Sequence, residues 1–100
     1  MAVILMVDIP DMTTQAYKEM HGIMMTDGLP EGMISHSCRI KNGGVSIIDI
    51  WESKAHINDF IENLLVPAMH QVGEDNEPEV MLISDLINAD ASEYTGVLRS

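Results

Sequence analysis

The sequence is poor in basic residues. Its 100 residues include 5 Lys and Arg against 16 Asp and Glu, so the formal net charge is −11. A chain with this balance repels the phosphate backbone of nucleic acids and the anionic surface of membranes. We therefore expect neither nucleic acid nor a membrane as a partner.

Cysteine is almost absent, because Cys38 is the single one and cannot form an intramolecular disulfide. This usage is typical of the reducing cytoplasm, the location that we expect. No apolar run approaches the roughly 18 residues of a spanning helix. The N-terminal segment MAVILMVDIPDM also lacks the basic region and cleavage site of a signal peptide, so we expect it to be part of a soluble fold.

Hydrophobic periodicity predicts the order β-α-β-β-α-β. The strands are predicted over residues 2 to 8, 33 to 41, 44 to 51 and 79 to 87. The first helix begins near Asp11 or Thr13 and the second at Ser53, each a good N-terminal cap. Pro67 lacks a backbone N–H and predicts a kink or break in the second helix. This order is the ferredoxin-like α+β arrangement, with both helices on one face of an antiparallel sheet.

The opposite face of the sheet needs a cover. In the first strand Leu5 and its alternate neighbours point one way, whereas Ile4 and Met6 point the other. Two copies stacked sheet on sheet would bury both sets, so a homodimer is expected. Residues 1 to 87 form the predicted domain, and residues 88 to 100 form a polar tail with three apolar anchors, Tyr94, Val97 and Leu98.

Three segments carry a family resemblance: PEGMISH, IIDIWES and LLVPAMHQVG. With the element order, they resemble the antibiotic biosynthesis monooxygenase-like group of dimeric α+β barrel proteins. The resemblance implies two subunits forming a barrel, with a ligand cavity in each subunit between sheet and helices. Such proteins include oxygenases without metal or flavin, haem-degrading enzymes, lactone isomerases and proteins without assigned activity.

His36 and Asp49 are the predicted catalytic pair. If Asn42 and Gly43 form a two-residue type I′ turn, paired positions sum to 85 and His36 lies directly opposite Asp49. A three-residue loop would shift the sum to 86 and place the two side chains on opposite faces. We assign the face that carries His36 to the helices and the cavity.

A His–Asp pair can serve as a general base. The carboxylate fixes the tautomer of the imidazole and raises the basicity of its other nitrogen. A cofactor-free oxygenase needs such a base, because a phenol or enol must become an anion before it can reduce oxygen. A structural role is the alternative, since a buried carboxylate and imidazole can satisfy each other and fix the strand register.

Six further residues are predicted to line the ligand pocket. They are Tyr17, Met20, His21, Met24, Cys38 and Trp51. The first four share one face of the first helix, and the methionines would form a deformable apolar wall. Each also has a packing role, and Cys38, predicted to point inward, is interpreted as a small buried hydrophobe.

By resemblance, the leading hypothesis is a cofactor-independent monooxygenase acting on a hydrophobic aromatic small molecule. A non-enzymatic ligand-binding or structural dimer is the alternative. Haem binding is a third hypothesis, for which His21 or His70 would be the iron ligand. His56 and His70 are predicted to face solvent, and no spacing of histidines and carboxylates supports a metal site.

Overall fold

The computed structural model describes residues 2 to 87, so the tail predicted over residues 88 to 100 lies outside the described residues. The elements are β1 (Val3–Ile9), α1 (Thr14–Met24), β2 (Met33–Lys41), β3 (Gly44–Trp51), α2 (Lys54–Phe60), a π-helical turn (Ile61–Leu65), α3 (Val66–Gln71) and β4 (Glu79–Asp85). Within this part of the chain, no helix has the length and hydropathy needed to cross a bilayer.

The four strands form one antiparallel sheet in the order β2-β3-β1-β4. Alternate residues of β1 are fully buried, whereas Ile4 and Met6 between them are partly exposed. This alternation places the helices on the face that carries Leu5, here called the helix face. The other face is called the outer face. The predicted ferredoxin-like α+β fold is confirmed.

The β2–β3 hairpin has the predicted register. Lys41 pairs with Gly44 and His36 pairs with Asp49, so paired positions sum to 85 near the turn. The turn type differs from the prediction. Of its two central residues only Gly43 has a positive φ, of 80°, whereas a type I′ turn needs positive φ at Asn42 as well. The register therefore follows from a two-residue turn of another type.

The predicted start of α1 is confirmed at Thr13. Its hydroxyl accepts a hydrogen bond from the backbone N–H of Ala16, at 3.0 Å. This bond satisfies one of the donors that a helix leaves free in its first turn. The helix then presents Met20 and Met24 to the core and Tyr17 towards β2.

The second helix does not break at Pro67 but passes through a π turn before it. Without a proline N–H, the carbonyl of Asn63 loses its usual donor. The chain inserts one residue, and the N–H of Val66 donates to the carbonyl of Ile61, five residues back. Helical structure thus continues from residue 54 to residue 71.

The inserted residue changes which side chains reach the core. The sequence predicts a stripe of Ile57, Ile61, Leu64, Ala68 and Val72, flanked by Phe60 and Leu65. Ile57 and Ala68 are buried as predicted, whereas Ile61, Leu64 and Val72 are only partly buried. Leu65 and Met69 are fully buried beside Ala68. One extra residue rotates the following turn by about 100° relative to a regular helix, which brings a neighbouring row of side chains onto the sheet.

His56 contradicts the prediction that it faces solvent. It is partly buried, its Nδ1 lies 2.7 Å from the hydroxyl of Ser53, and its ring packs against the backbone of Gly32. Gly32 has a φ of 87°, and its carbonyl accepts a hydrogen bond from the N–H of Glu52 at 2.8 Å. This contact fixes the loop before β2 onto the start of α2.

Replacing Gly32 is expected to destabilise the fold. In Gly32→Ala the new Cβ would overlap the His56 ring, and alanine would have to adopt a left-handed φ. We expect the free energy of unfolding to fall by at least about 2 kcal/mol. Urea denaturation followed by circular dichroism measures this change.

Gly22→Ala is the matched control. Gly22 lies within α1, and nothing among the described residues comes within 4 Å of an added Cβ there. This substitution should stabilise the protein by up to about 1 kcal/mol. Equal effects of the two substitutions would contradict the contact between Gly32 and His56.

Candidate functional site

The candidate site is a chain of hydrogen bonds through three side chains. The Nδ1 atom of His36 lies 2.6 Å from Oδ1 of Asp49. The Nε2 atom of the same ring lies 2.7 Å from the hydroxyl of Tyr17. Both ring nitrogens of His36 are therefore engaged, one on the buried side and one towards solvent.

Three elements position this chain. Asp49 lies on β3 and His36 lies opposite it on β2, both on the helix face of the sheet. Tyr17 comes from the first turns of α1 and approaches His36 from above, with the two rings nearly parallel and their centroids 6.4 Å apart. The cross-strand pair depends on the hairpin register, and the contact with Tyr17 depends on how α1 packs on the sheet.

Asp49 is the buried end of the chain. Its side chain is fully buried, and that of His36 is 10% exposed. Among the described residues, Oδ2 of Asp49 and Nε1 of Trp51 have no hydrogen-bond partner. Buried polar atoms are usually satisfied, so a carboxylate with one contact is unusual for a purely structural pair. The one hydrogen bond that this carboxylate forms within residues 2 to 87 is with the imidazole of His36.

This geometry assigns the donors. A carboxylate is an acceptor, so Nδ1 of His36 carries the hydrogen that it donates to Asp49. The neutral imidazole then has its lone pair on Nε2, which accepts from the hydroxyl of Tyr17. A proton entering at Tyr17 could pass to Nε2 and create an imidazolium beside the carboxylate.

Burial keeps Tyr17 protonated. Desolvation raises the pKa of Tyr17 well above its ordinary value, and the nearby Cys38 and Asp49 raise it further. The pKa of the Cys38 thiol is also raised by burial, with a partial offset from the hydroxyl of Tyr17. The thiol therefore favours its protonated form, and Cys38 is partly rather than fully buried.

An open depression of about 410 Å³ lies in front of Tyr17 and His36. Its lining residues are Tyr17, Lys18, His21, His36, Ser37 and Cys38. Of the six residues predicted to line the pocket, Tyr17, His21 and Cys38 are at the depression, together with His36 of the predicted catalytic pair. Asp49 lies behind His36 and does not line the depression.

Met20, Met24 and Trp51 do not line this depression, contrary to the prediction. Met20 and Trp51 are fully buried, Met24 is 4% exposed, and the Trp51 ring packs on Phe60 with centroids 4.8 Å apart. The helices pack directly on the sheet, so these side chains fill the space in which the sequence predicts an apolar cavity.

The histidines divide between site and surface. The His21 ring lies 5.3 Å from that of His36 and 5.9 Å from that of Tyr17, between centroids. His70, the other residue considered as a haem ligand, is exposed on α3. Across residues 2 to 87, no group of three or more potential ligands is arranged to hold a metal ion.

Sequence reasoning missed Lys18, Ser37 and the hydrogen bond from Tyr17 to His36. Lys18 follows Tyr17 directly and lies three residues before His21, so its presence near the site could have been found from helical spacing. The hydroxyl of Ser37 is already engaged within the hairpin, because it donates to the carbonyl of Ile48 at 2.9 Å.

Comparison with known proteins supports the fold and gives no information on function. No family model and no curated protein matches the sequence. The structure of Rv0793 from Mycobacterium tuberculosis is similar, with a TM-score of 0.61 and 13% identity over 91% of this chain and 100% of that chain. A structural-genomics structure of the protein YJCS is also similar, with a TM-score of 0.55 and 16% identity over 87% of this chain and 97% of that chain.

The raised pKa of Tyr17 predicts a loss of stability in alkali. Unfolded tyrosine ionises near pH 10, whereas Tyr17 in the folded protein holds its proton to higher pH. The free energy of unfolding should therefore fall as pH rises above about 10, because only the unfolded state gains from ionisation. Urea denaturation between pH 8 and 11 measures this slope.

Tyr17→Phe should flatten that slope. The chain has two tyrosines, so Tyr94→Phe is the matched control, and in that variant the late ionisation should persist in an ultraviolet titration of tyrosinate. If the late ionisation and the slope persist in Tyr17→Phe as well, Tyr17 is not the tyrosine whose pKa is raised.

Proposed function

We propose that this protein is a small acid–base enzyme, a cofactor-independent monooxygenase of the antibiotic biosynthesis monooxygenase-like kind, acting on a hydrophobic aromatic molecule. The supporting observation is the hydrogen-bonded chain from buried Asp49, through His36, to Tyr17 at an open depression. Such a chain leads a proton from a bound phenol towards a buried carboxylate. The sequence resemblance and the shared fold agree with this proposal.

Tyr17 would meet the substrate because its hydroxyl covers the Nε2 atom of His36. A tyrosinate is disfavoured here, since burial raises the pKa of Tyr17. The two transfers would therefore be concerted: the substrate proton moves to the oxygen of Tyr17 while the proton of Tyr17 moves to His36. The positive charge on His36 is then stabilised by Asp49, 2.6 Å away.

Loss of that proton prepares the substrate for oxygen. The phenolate passes one electron to dioxygen, and the radical pair combines into a peroxide at a ring carbon. The stored proton returns from the chain, and the peroxide loses water to leave a carbonyl. One phenol and one dioxygen thus give one quinone and one water, with dioxygen as the oxidant.

Removing the base should abolish oxygen uptake. We expect an oxygen electrode to record uptake with one or more members of a panel of quinols and polycyclic phenols, above the rate without protein. His36→Gln and Asp49→Asn should each lower this rate by at least about 100-fold, the usual contribution of a positioned general base. Circular dichroism establishes that each variant is folded.

His70→Gln is the matched control, because His70 is exposed on α3 and should not affect the rate. Tyr17→Phe separates two routes: a similar loss supports the relay through Tyr17, and an unchanged rate means that His36 acts directly. If no substrate gives uptake, or if His36→Gln retains the rate, the protein is a binder rather than this enzyme.

We extend this proposal to a homodimer formed through the outer face. This face carries a central apolar row in which Ile48, Met6 and Leu82 are paired across three strands. No described element covers the row, and Leu82 is 42% exposed. A second copy stacked on this face would remove Leu82 from water, together with the partly exposed Met6 and Ile48.

A charge on the outer face should weaken the dimer. We expect sedimentation equilibrium to give twice the subunit mass, and Leu82→Lys to raise the dissociation constant at least about tenfold, since an ammonium would be buried without a partner. Ile40→Lys is the control, because Ile40 is 74% exposed on the helix face. A monomer, or equal effects of both variants, would contradict dimerisation through this face.

A further inference from the structure

The depression in front of Tyr17 differs in charge from the rest of the surface. Its six lining residues include a lysine and two histidines and no carboxylate. The whole chain has 16 acidic residues against 5 lysines and arginines, so a ligand-sized surface without an acid is unusual here. The lining presents hydrogen-bond donors to whatever binds.

Other depressions in the described part of the chain show the contrast. Glu31 and Asp59 line one beside α2, and Asp75 and Glu77 line another beside α3. A third, at the β2–β3 turn, includes Asp8 and Lys41, which are paired with each other. The carboxylates of the first two would repel an anion, and in the third the charge of Lys41 is already held by Asp8. Among these four depressions, the one at Tyr17 has a lysine in its lining and no carboxylate, which suits an anionic ligand.

The positive charge of Lys18 is not neutralised within its helix. Its neighbours one turn away are Thr14, Gln15, His21 and Gly22, none of which is acidic. Among the described residues, Lys18 forms no ion pair. An ammonium without a partner beside the depression is available to a bound anion.

His21 supplies a second donor at the same place. It lies three residues after Lys18 and so on an adjacent part of the α1 surface. Its ring is partly buried against the rings of Tyr17 and His36, and its nitrogens form no hydrogen bond within residues 2 to 87. Lys18 and His21 can therefore contact one ligand group while Tyr17 contacts another.

We infer that the substrate of this site is an aromatic carboxylate, held through its carboxylate by Lys18 and His21 with its phenolic proton directed at Tyr17. The inference rests on the proposed function for the role of Tyr17. Ion pairing to the substrate would also offset the second negative charge that forms when the phenol loses its proton. A depression of about 410 Å³ is at the small end of ligand sites, which suits a one- or two-ring compound.

A pair of probes of equal shape tests the charge. 2-Naphthoate and 2-naphthamide differ in charge but little in size, and isothermal titration calorimetry measures the binding of each to the full chain. We expect naphthoate to bind at least about tenfold more tightly, since its contacts with Lys18 are charge-assisted. Lys18→Gln and His21→Gln should each reduce this preference, and the double variant should remove it.

Lys54→Gln is the matched control. Lys54 is exposed at the start of α2, so this substitution makes the same change of charge away from the depression and should leave the preference for naphthoate unchanged. Equal binding of the two probes overturns the inference, as does no binding of either at millimolar concentration or an unchanged preference in Lys18→Gln. Because binding is measured without turnover, a naphthoate preference in a protein that consumes no oxygen would reject the proposed enzyme and retain the anion site.

Discussion

The fully buried carboxylate of Asp49 is the constraint on which the site depends. A carboxylate in the interior is costly unless a partner compensates it, and its partner among the described residues is His36. The contact requires the hairpin register that places position 36 opposite position 49. A shift by one residue would move His36 to the outer face and leave the carboxylate without a partner.

The packing of the helices on the sheet decides where the candidate site opens to solvent. Met20 and Trp51 fill the space between helices and sheet, so the described residues enclose no large apolar cavity. The hydrogen-bonded chain instead ends at the surface, where Tyr17 and His21 project from α1. The site thus combines a dry end, at Asp49, with an end that a ligand can reach without a movement of the core.

Much of this could be predicted from the sequence, because the relevant signals are local. Thr13 and Ser53 are capping residues by chemistry, and a two-residue turn at Asn42 fixed the pairing of His36 with Asp49. The assignment of His36 to the helix face followed from the apolar residues around it.

The remaining features depend on interactions distant in sequence. The bond from Tyr17 to His36 needs the position of α1 on the sheet, which no local pattern contains. The π turn before Pro67 is one of several ways to accommodate a missing N–H, and it redirected Leu65 into the core. Whether Met20 lines a cavity or fills it depends on how closely the helices approach the sheet.

A second buried carboxylate in the same sheet differs from Asp49 in the partner that it has. Asp8 on the outer face is paired with Lys41, and this hydrogen bond lowers the pKa of Asp8. Lysine is cationic at neutral pH, so that pair stays charged and stabilises the fold until acid protonates Asp8. An imidazole has a second nitrogen that can accept a proton, whereas an ammonium has no acceptor. The proton transfer proposed through Tyr17 therefore suits the pair of Asp49 with His36 and not the pair of Asp8 with Lys41.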